Sequence, residues 1–250
     1  MLPTLQLGPL ALPTGPFTLL LGVWLGLWLT EREADRLGLN RDHVSALAMI
    51  GLLAGLVGAR LGYALAHLDA YLADPLGLIS NNLATFSLPA GLLIGVGAAW
   101  LYGRRQRLPL RATLDALAPA LGALSGALAL AQLASGDGFG APARLPWSLY
   151  LWDEWRHPTQ VYALLAALIV FGAWWRWGRS AFAGFGFLLV VAGTAAATVF
   201  IEAYRGDSAL LAGGWRTAQV LGLLVLGASL ILIKRWHDAL SPADGVRVDR

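Results

Sequence analysis

The 250-residue chain contains no cysteine, and only 13% of its residues are charged. The first absence excludes disulfides, zinc-thiolate sites and a cysteine nucleophile, so any thiol chemistry must use a thiol supplied by a substrate. The second excludes an ordinary soluble domain, in which about 25% of residues are charged. Residues 1–16 lack the basic stretch of a secretory signal, so no cleaved leader is expected. There is no internal repeat, low-complexity tract or second domain, which points to one domain over residues 1–240 and a short solvated tail at 241–250. The pI near 9.6 would suit nucleic acid, but the arginines lie between apolar runs instead of forming a stripe, and nucleic acid is excluded as a partner.

What is abundant is apolar: 57% of residues are hydrophobic and mean hydropathy is +0.62. A bilayer core about 30 Å thick needs roughly 20 helical residues. Seven stretches suit this, at residues 17–30, 44–68, 88–102, 114–133, 160–177, 182–203 and 218–233. The first is long enough if it begins near Leu10, with Pro3, Pro9, Pro13 and Pro16 making the segment before it an extended lead-in. The fold class expected is all-α and polytopic. Basic residues gather on one side of these spans: Arg32, Arg36, Arg41, Arg104, Arg105, Arg107, Arg111, Arg176, Arg179, Lys234, Arg235, Arg247 and Arg250. Only Arg144, Arg156, Arg205 and Arg216 fall on the other, so the N-terminus is expected outside and the C-terminus in the cytoplasm. Two outside loops are expected to be structured: 69–86 holds Pro75 and the amide pair Asn81-Asn82, and 135–156, rich in Gly, Pro and Trp, reads as a lid or a re-entrant piece. Non-helical backbone at membrane depth survives only when buried in protein or beside water, so such loops frame sites.

Polar residues inside spans are expensive and therefore informative. Arg60 lies deep in the second span, among Gly55, Gly58 and Gly62, whose spacing permits close helix contact. It either forms an ion pair with Asp115 or Glu202 or binds a phosphate. In Arg156-His157-Pro158-Thr159-Gln160-Val161-Tyr162, Pro158 suits a first helical turn. Arg156 and His157 then lie at the mouth while Gln160 and Tyr162 turn inward. His157 is a candidate base or hydrogen-bond donor near neutral pH, or a histidine held at headgroup level. Glu202 and Arg205, three residues apart, can pair on one helical face, and Gln219 suits an interhelical hydrogen bond.

In order along nearly the whole chain, these landmarks resemble the prolipoprotein diacylglyceryl transferases of bacterial membranes. They are Gly8-Pro9-Leu10, Gly58-Ala59-Arg60-Leu61-Gly62-Tyr63, Ala90-Gly91-Leu92-Leu93-Ile94-Gly95, Asp115-Ala116-Leu117-Ala118-Pro119, Gly136-Asp137-Gly138-Phe139-Gly140-Ala141-Pro142, Pro146-Trp147, the Arg156–Tyr162 element, Glu202-Ala203-Tyr204-Arg205 and Gln219. The resemblance implies transfer of diacylglyceryl from phosphatidylglycerol to the lipobox cysteine of a prolipoprotein, with release of glycerol phosphate, in the bacterial inner membrane. It implies phosphatidylglycerol, a prolipoprotein signal peptide and the membrane as partners, and neither cofactor nor metal. His157 and Arg60 are the expected catalytic residues; Arg156, Gln160, Tyr162, Glu202, Arg205, Gln219 and Asp137 are the expected substrate contacts.

The chain departs from the family pattern where charge is needed. Pro89 stands where the family has a histidine given a catalytic role, Ala129 and Ala141 stand for arginines, and Gln132 for an asparagine. Asp137 and Ala163 stand for glutamates, Thr194 for a tyrosine and Thr198 for another arginine. Two readings follow. One is a divergent transferase whose phosphate clamp is Arg60, Arg205 and Arg156, with His157 or His67 assisting the thiol. The other is a catalytically silent paralogue that binds phospholipid or lipoprotein signal segments.

Overall fold

The computed structural model describes residues 4–8, 10–79 and 85–240. The expected tail at 241–250, Pro9 and the pair Asn81-Asn82 lie outside these residues. Strands β1 (Thr4–Leu7) and β2 (Leu10–Pro13) form an antiparallel hairpin turning at Gly8, whose φ of +64° costs a glycine little. The lead-in is thus extended, as its prolines imply, but paired. Because residues 10–13 are strand, the first helix starts at Thr14 and not near Leu10.

A long helix forms at each of the seven apolar stretches. These are α1 (Thr14–Arg36), α2 (Arg41–Ala66), α4 (Leu88–Arg105), α5 (Leu110–Ser135), α6 (Thr159–Ala173), α7 (Phe185–Glu202) and α8 (Thr217–Asp238). A short α3 (Leu68–Ala73) and a 3-10 turn at Pro75–Ile79 occupy the loop expected to be structured. A π turn at Trp174–Gly178 continues α6. Five of the described helices, α2, α5, α6 with its π turn, α7 and α8, are long and apolar enough to cross a membrane. The other two, α1 and α4, end in charged turns that hold Glu31 to Arg36 and Arg104-Arg105, which shortens their apolar length.

The chain divides into two compact units, Thr30–Thr113 and the remainder, with the boundaries inside α1 and α5. Within the first, α2 packs on α4 through glycine and alanine. A β-carbon added at Gly95 would lie 2.6 Å from the Gly51 carbonyl oxygen and 3.0 Å from the Gly55 Cα, so backbone meets backbone there. This is the small-residue logic of helices that gain nothing from burying apolar surface away from lipid and must gain from close packing instead.

Within the second unit, Trp174, Val170, Ala118 and Val190 form a buried cluster joined by Phe171 and Phe187. Asp115, one of the carboxylates open as a partner for Arg60, instead caps α7. Its oxygens accept from the Gly184 and Phe187 backbone N–H groups at 2.5 and 2.9 Å. A carboxylate at a helix N-terminus satisfies orphan donors and opposes the positive end of the helix dipole. Asp115→Ala is therefore expected to destabilise the folded protein by about 1.5–3 kcal/mol, the usual worth of a hydrogen bond to a charged group. Equilibrium unfolding in mixed detergent micelles would measure it, and Asp115→Asn, which keeps one acceptor, should lose less.

Candidate functional site

The loop at 135–156 folds around a small sheet. Strands β3 (Leu149–Leu151) and β4 (Glu154–Arg156) form a hairpin whose tip, Trp152-Asp153, adopts positive φ at both residues. That is the twist a two-residue hairpin turn requires, taken here without glycine. The segment 138–142 runs between β4 and the end of α7, bridging Pro142 to Arg156 and Gly140 to Arg205. Ala141 N donates to Tyr204 O at 2.7 Å and accepts through its own carbonyl from His157 N at 3.1 Å. This middle strand is what gathers residues far apart in sequence. Gly140 is required for it, since a β-carbon there would lie 2.3 Å from the His157 carbonyl oxygen.

Pro158 is the N-cap of α6, one position earlier than a first-turn proline. Thr159 and Gln160 are buried behind it, and both reach back to the glycine loop: Thr159 Oγ1 donates to Gly138 O at 2.6 Å, and Gln160 Nε2 donates to Asp137 O at 3.0 Å. Asp137 thus meets Gln160 through its backbone, while its carboxylate accepts from Ser135 Oγ at 2.8 Å. His157 is half-buried beside two tyrosines. Its Nδ1 lies 3.4 Å from the Tyr162 hydroxyl, which accepts from Trp147 Nε1 at 2.9 Å, and its ring tilts against Tyr204 with centroids 5.0 Å apart. With Nδ1 protonated and donating to the Tyr162 oxygen, Nε2 is the basic nitrogen.

The arginines are engaged by the protein itself. Arg156 donates to Leu151 O, Gly140 O and, at 2.7 Å, to Glu154, and its guanidinium lies over the Phe139 ring. Arg205 pairs with Glu202 as its spacing implies, at 3.7 Å, but Asp207 holds it more closely, with contacts of 2.9 and 3.0 Å. The Asp207 hydrogen bond raises the Arg205 pKa above the ordinary guanidinium value, against the opposing effect of burial. Arg216 donates to the carbonyls of Glu202 and Arg205, closing the C-terminus of α7. Sequence reading missed Asp207 and Arg216 in these roles. A carboxylate two residues after an arginine gives no helical pairing signal, and the reach of Arg216 depends on how the 206–216 loop folds back.

Three expected residues make other contacts. Gln219 Nε2 donates to Val199 O at 3.1 Å, the interhelical bond its lone position suggested. Arg60 belongs to the other unit and is buried there. It donates to the carbonyls of Gly77, Leu78 and Thr85 and to the Thr85 hydroxyl, between the rings of Tyr71 and Phe86. Its hydrogen-bond partners among the described residues are loop carbonyls and the Thr85 hydroxyl, not the carboxylate that one reading expected. His67 is exposed, stacked on Tyr63 and bonded to the Tyr63 carbonyl. Pro89 sits in the first turn of α4, a place where proline is tolerated because its missing N–H would be unpaired anyway.

Among the described residues, no group of His, Asp and Glu could hold a metal ion. A cavity of about 170 Å³ opens between α5, α6 and α7. Ala129, Gln132, Ala163, Thr194 and Thr198, five of the positions that depart from the family pattern, all line it, together with Glu202 and Arg205.

Comparison with known proteins gives a consistent picture. The family model described as prolipoprotein diacylglyceryl transferase matches residues 4–235. A phosphatidylglycerol–prolipoprotein diacylglyceryl transferase of Chromohalobacter salexigens is 32% identical, with 68% of each chain covered. Its namesake in Nitratidesulfovibrio vulgaris is 30% identical over 94% of this chain and 96% of its own. One from Corynebacterium glutamicum is 27% identical over 95% and 84%. With a match of this length, and with the landmark segments in order along the same residues, the chain belongs to the prolipoprotein diacylglyceryl transferase family.

Proposed function

We propose that the protein transfers diacylglyceryl from phosphatidylglycerol to the lipobox cysteine of a prolipoprotein. The observation that carries this is the intact Arg156–Tyr162 element, with His157 held by the Trp147–Tyr162 hydrogen bond, in a chain that matches the family over residues 4–235. In this reading the substrate thiol gives its proton to His157 Nε2. The thiolate then forms a C–S bond to the diacylglyceryl carbon as the C–O bond to phosphate breaks, and that bonding pair leaves with glycerol phosphate. The leaving phosphate is met by Arg156 and Arg205, with Gln160, Tyr162, Glu202 and Asp137 shaping the site. To do so it must compete with Glu154 for Arg156 and with Asp207 for Arg205.

The same reading takes the chain as one domain that crosses the bacterial plasma membrane seven times, with the N-terminus outside. The asymmetry of Lys and Arg between its loops supports this.

One observation favours a second reading, that of a silent paralogue holding phospholipid or a signal segment. The cavity wall carries Ala129, Ala163, Thr194 and Thr198 where the family pattern has ionisable or phenolic side chains. The deciding experiment incubates the full-length protein, in nanodiscs containing phosphatidylglycerol labelled in its acyl chains, with a lipobox peptide. Label on the peptide cysteine with matching release of glycerol phosphate is expected. An unlabelled peptide, with phosphatidylglycerol still bound, would establish the second reading instead.

A further inference from the structure

Arg205 is fixed by its main chain, and two carboxylates face its guanidinium. Its backbone bridges to Gly140 and its carbonyl accepts from Arg216, while Glu202 and Asp207 both lie within ion-pair distance of Nε. The two acids are held differently. Glu202 is the last residue of α7, its side chain is 6% exposed, and it stays 3.7 Å from Nε. Asp207 lies in the loop after α7, its side chain is 26% exposed, and it takes Nε and Nη2 together at 2.9 and 3.0 Å. This two-pronged grip is the geometry in which a guanidinium also takes a phosphate.

Asp207 thus fills a phosphate seat, and of the two acids it is the one able to leave it. A carboxylate at the water boundary can turn into solvent, whereas a buried one would be left unpaired and desolvated. Arg156 has no comparable seat, because its Nε and Nη1 donate to the Leu151 and Gly140 carbonyls and Glu154 reaches Nη2 alone. We propose that Asp207 is a built-in competitor for phosphate at Arg205, weakening the hold on the phosphate of the donor and on the glycerol phosphate left after transfer. Before binding, the carboxylate keeps the half-buried guanidinium neutralised; on binding, phosphate displaces it into water. Affinity is the difference between these two pairings, so an arginine already paired holds phosphate less tightly than a bare one. Product release limits turnover in many enzymes, and a side chain that returns to the seat as the product leaves speeds that step. The inference rests on the reading that Arg205 meets the phosphate, and it assigns a regulating residue to that site.

Calorimetric titration of the full-length protein in phosphatidylcholine nanodiscs with glycerol phosphate, at low salt, tests this apart from turnover. Asp207→Asn keeps the shape of the side chain and removes its charge. It should bind glycerol phosphate about tenfold more tightly, the scale of one charge-assisted contact released from competition. Asp207→Glu restores the carboxylate and should return toward the parent affinity. Asp153→Asn, which removes the same charge at the hairpin tip, should stay within about twofold of the parent. In the peptide-labelling assay Asp207→Asn should lower KM for phosphatidylglycerol by a similar factor without raising kcat. A residue that only props the loop gives the opposite result, weaker binding with a lower melting temperature. The proposal is overturned if a folded Asp207→Asn binds glycerol phosphate no more tightly than the parent, or if Asp153→Asn tightens it equally. Should Asp207→Asn fail to fold, Asp207→Ser decides in its place. If no peptide is labelled but Asp207→Asn tightens glycerol phosphate, the transferase reading falls and this one stands; labelling with glycerol phosphate affinity unmoved by Asp207→Asn does the reverse.

Discussion

Peptide labelling by His157→Ala is expected to fall about 10²- to 10⁴-fold, the range that a positioned general base contributes. His157 is the histidine that the 138–142 strand fixes in place, through the bond from its own N–H to Ala141 O, and its imidazole is oriented by the Tyr162 hydroxyl. A free thiol has a pKa of about 8.5 and needs this help most at neutral pH. Raising the pH toward 9 should therefore restore much of the lost rate in His157→Ala and little in the parent. Tyr162→Phe removes the oxygen bridging Trp147 and His157 but leaves the base, so its loss should be near tenfold, about 1.4 kcal/mol of transition-state stabilisation. If His157→Ala labels within a few-fold of the parent at neutral pH, His157 is not the base. The Pro89 position, which carries no proton acceptor, offers no substitute.

Periodic and compositional signals were readable from the amino acids alone, and contacts made by irregular backbone were not. Each of the seven apolar stretches is a helix, with ends moved by a few residues toward caps such as Asn40, whose carboxamide oxygen accepts from His43 N. The Glu202–Arg205 pair and the bond of Gln219 to α7 followed from helical spacing and lone polarity. The hairpin at residues 4–13 did not, because a proline-rich apolar segment reads the same whether paired or simply extended. Nor did the fates of Arg60 and Asp115. Each is a charge inside an apolar helix, which the sequence marks as needing a partner, but the partners include backbone groups: the carbonyls of Gly77, Leu78 and Thr85, beside the Thr85 hydroxyl, for Arg60, and N–H groups at the start of α7 for Asp115. Backbone carries no sequence signature, and it is the commonest partner available. The alanine and threonine substitutions could be read one at a time. That four of them share a single cavity wall is visible only in the fold.

Gly95→Leu is expected to abolish folding of the Thr30–Thr113 unit, the largest stability effect anticipated for a single substitution in this chain. A leucine β-carbon at this position meets the Gly51 carbonyl oxygen at 2.6 Å and the Gly55 Cα and nitrogen at 3.0 and 3.3 Å, all of them main-chain atoms of α2. A flexible side chain could turn aside; a helix backbone cannot, so α2 and α4 would have to separate along their length. Overpacking a core costs about 1–3 kcal/mol when side chains can rearrange. Here the cost adds to the loss of the close contact that holds two membrane helices together, for which lipid offers no hydrophobic replacement. Gly97, on the same helix with nothing within 4 Å of an added β-carbon, supplies the control. Gly97→Ala should be neutral or slightly stabilising, since alanine is favoured over glycine in a helix by up to about 1 kcal/mol. Yield of monodisperse protein and its thermal unfolding would separate the two. Equal behaviour of Gly95→Leu and Gly97→Ala would mean that α2 and α4 do not meet through their glycines. The loop that Arg60 holds would then lose the packed pair on which its position depends, since Ser87 N at the start of α4 donates to Ala59 O at 2.8 Å, one residue before that arginine.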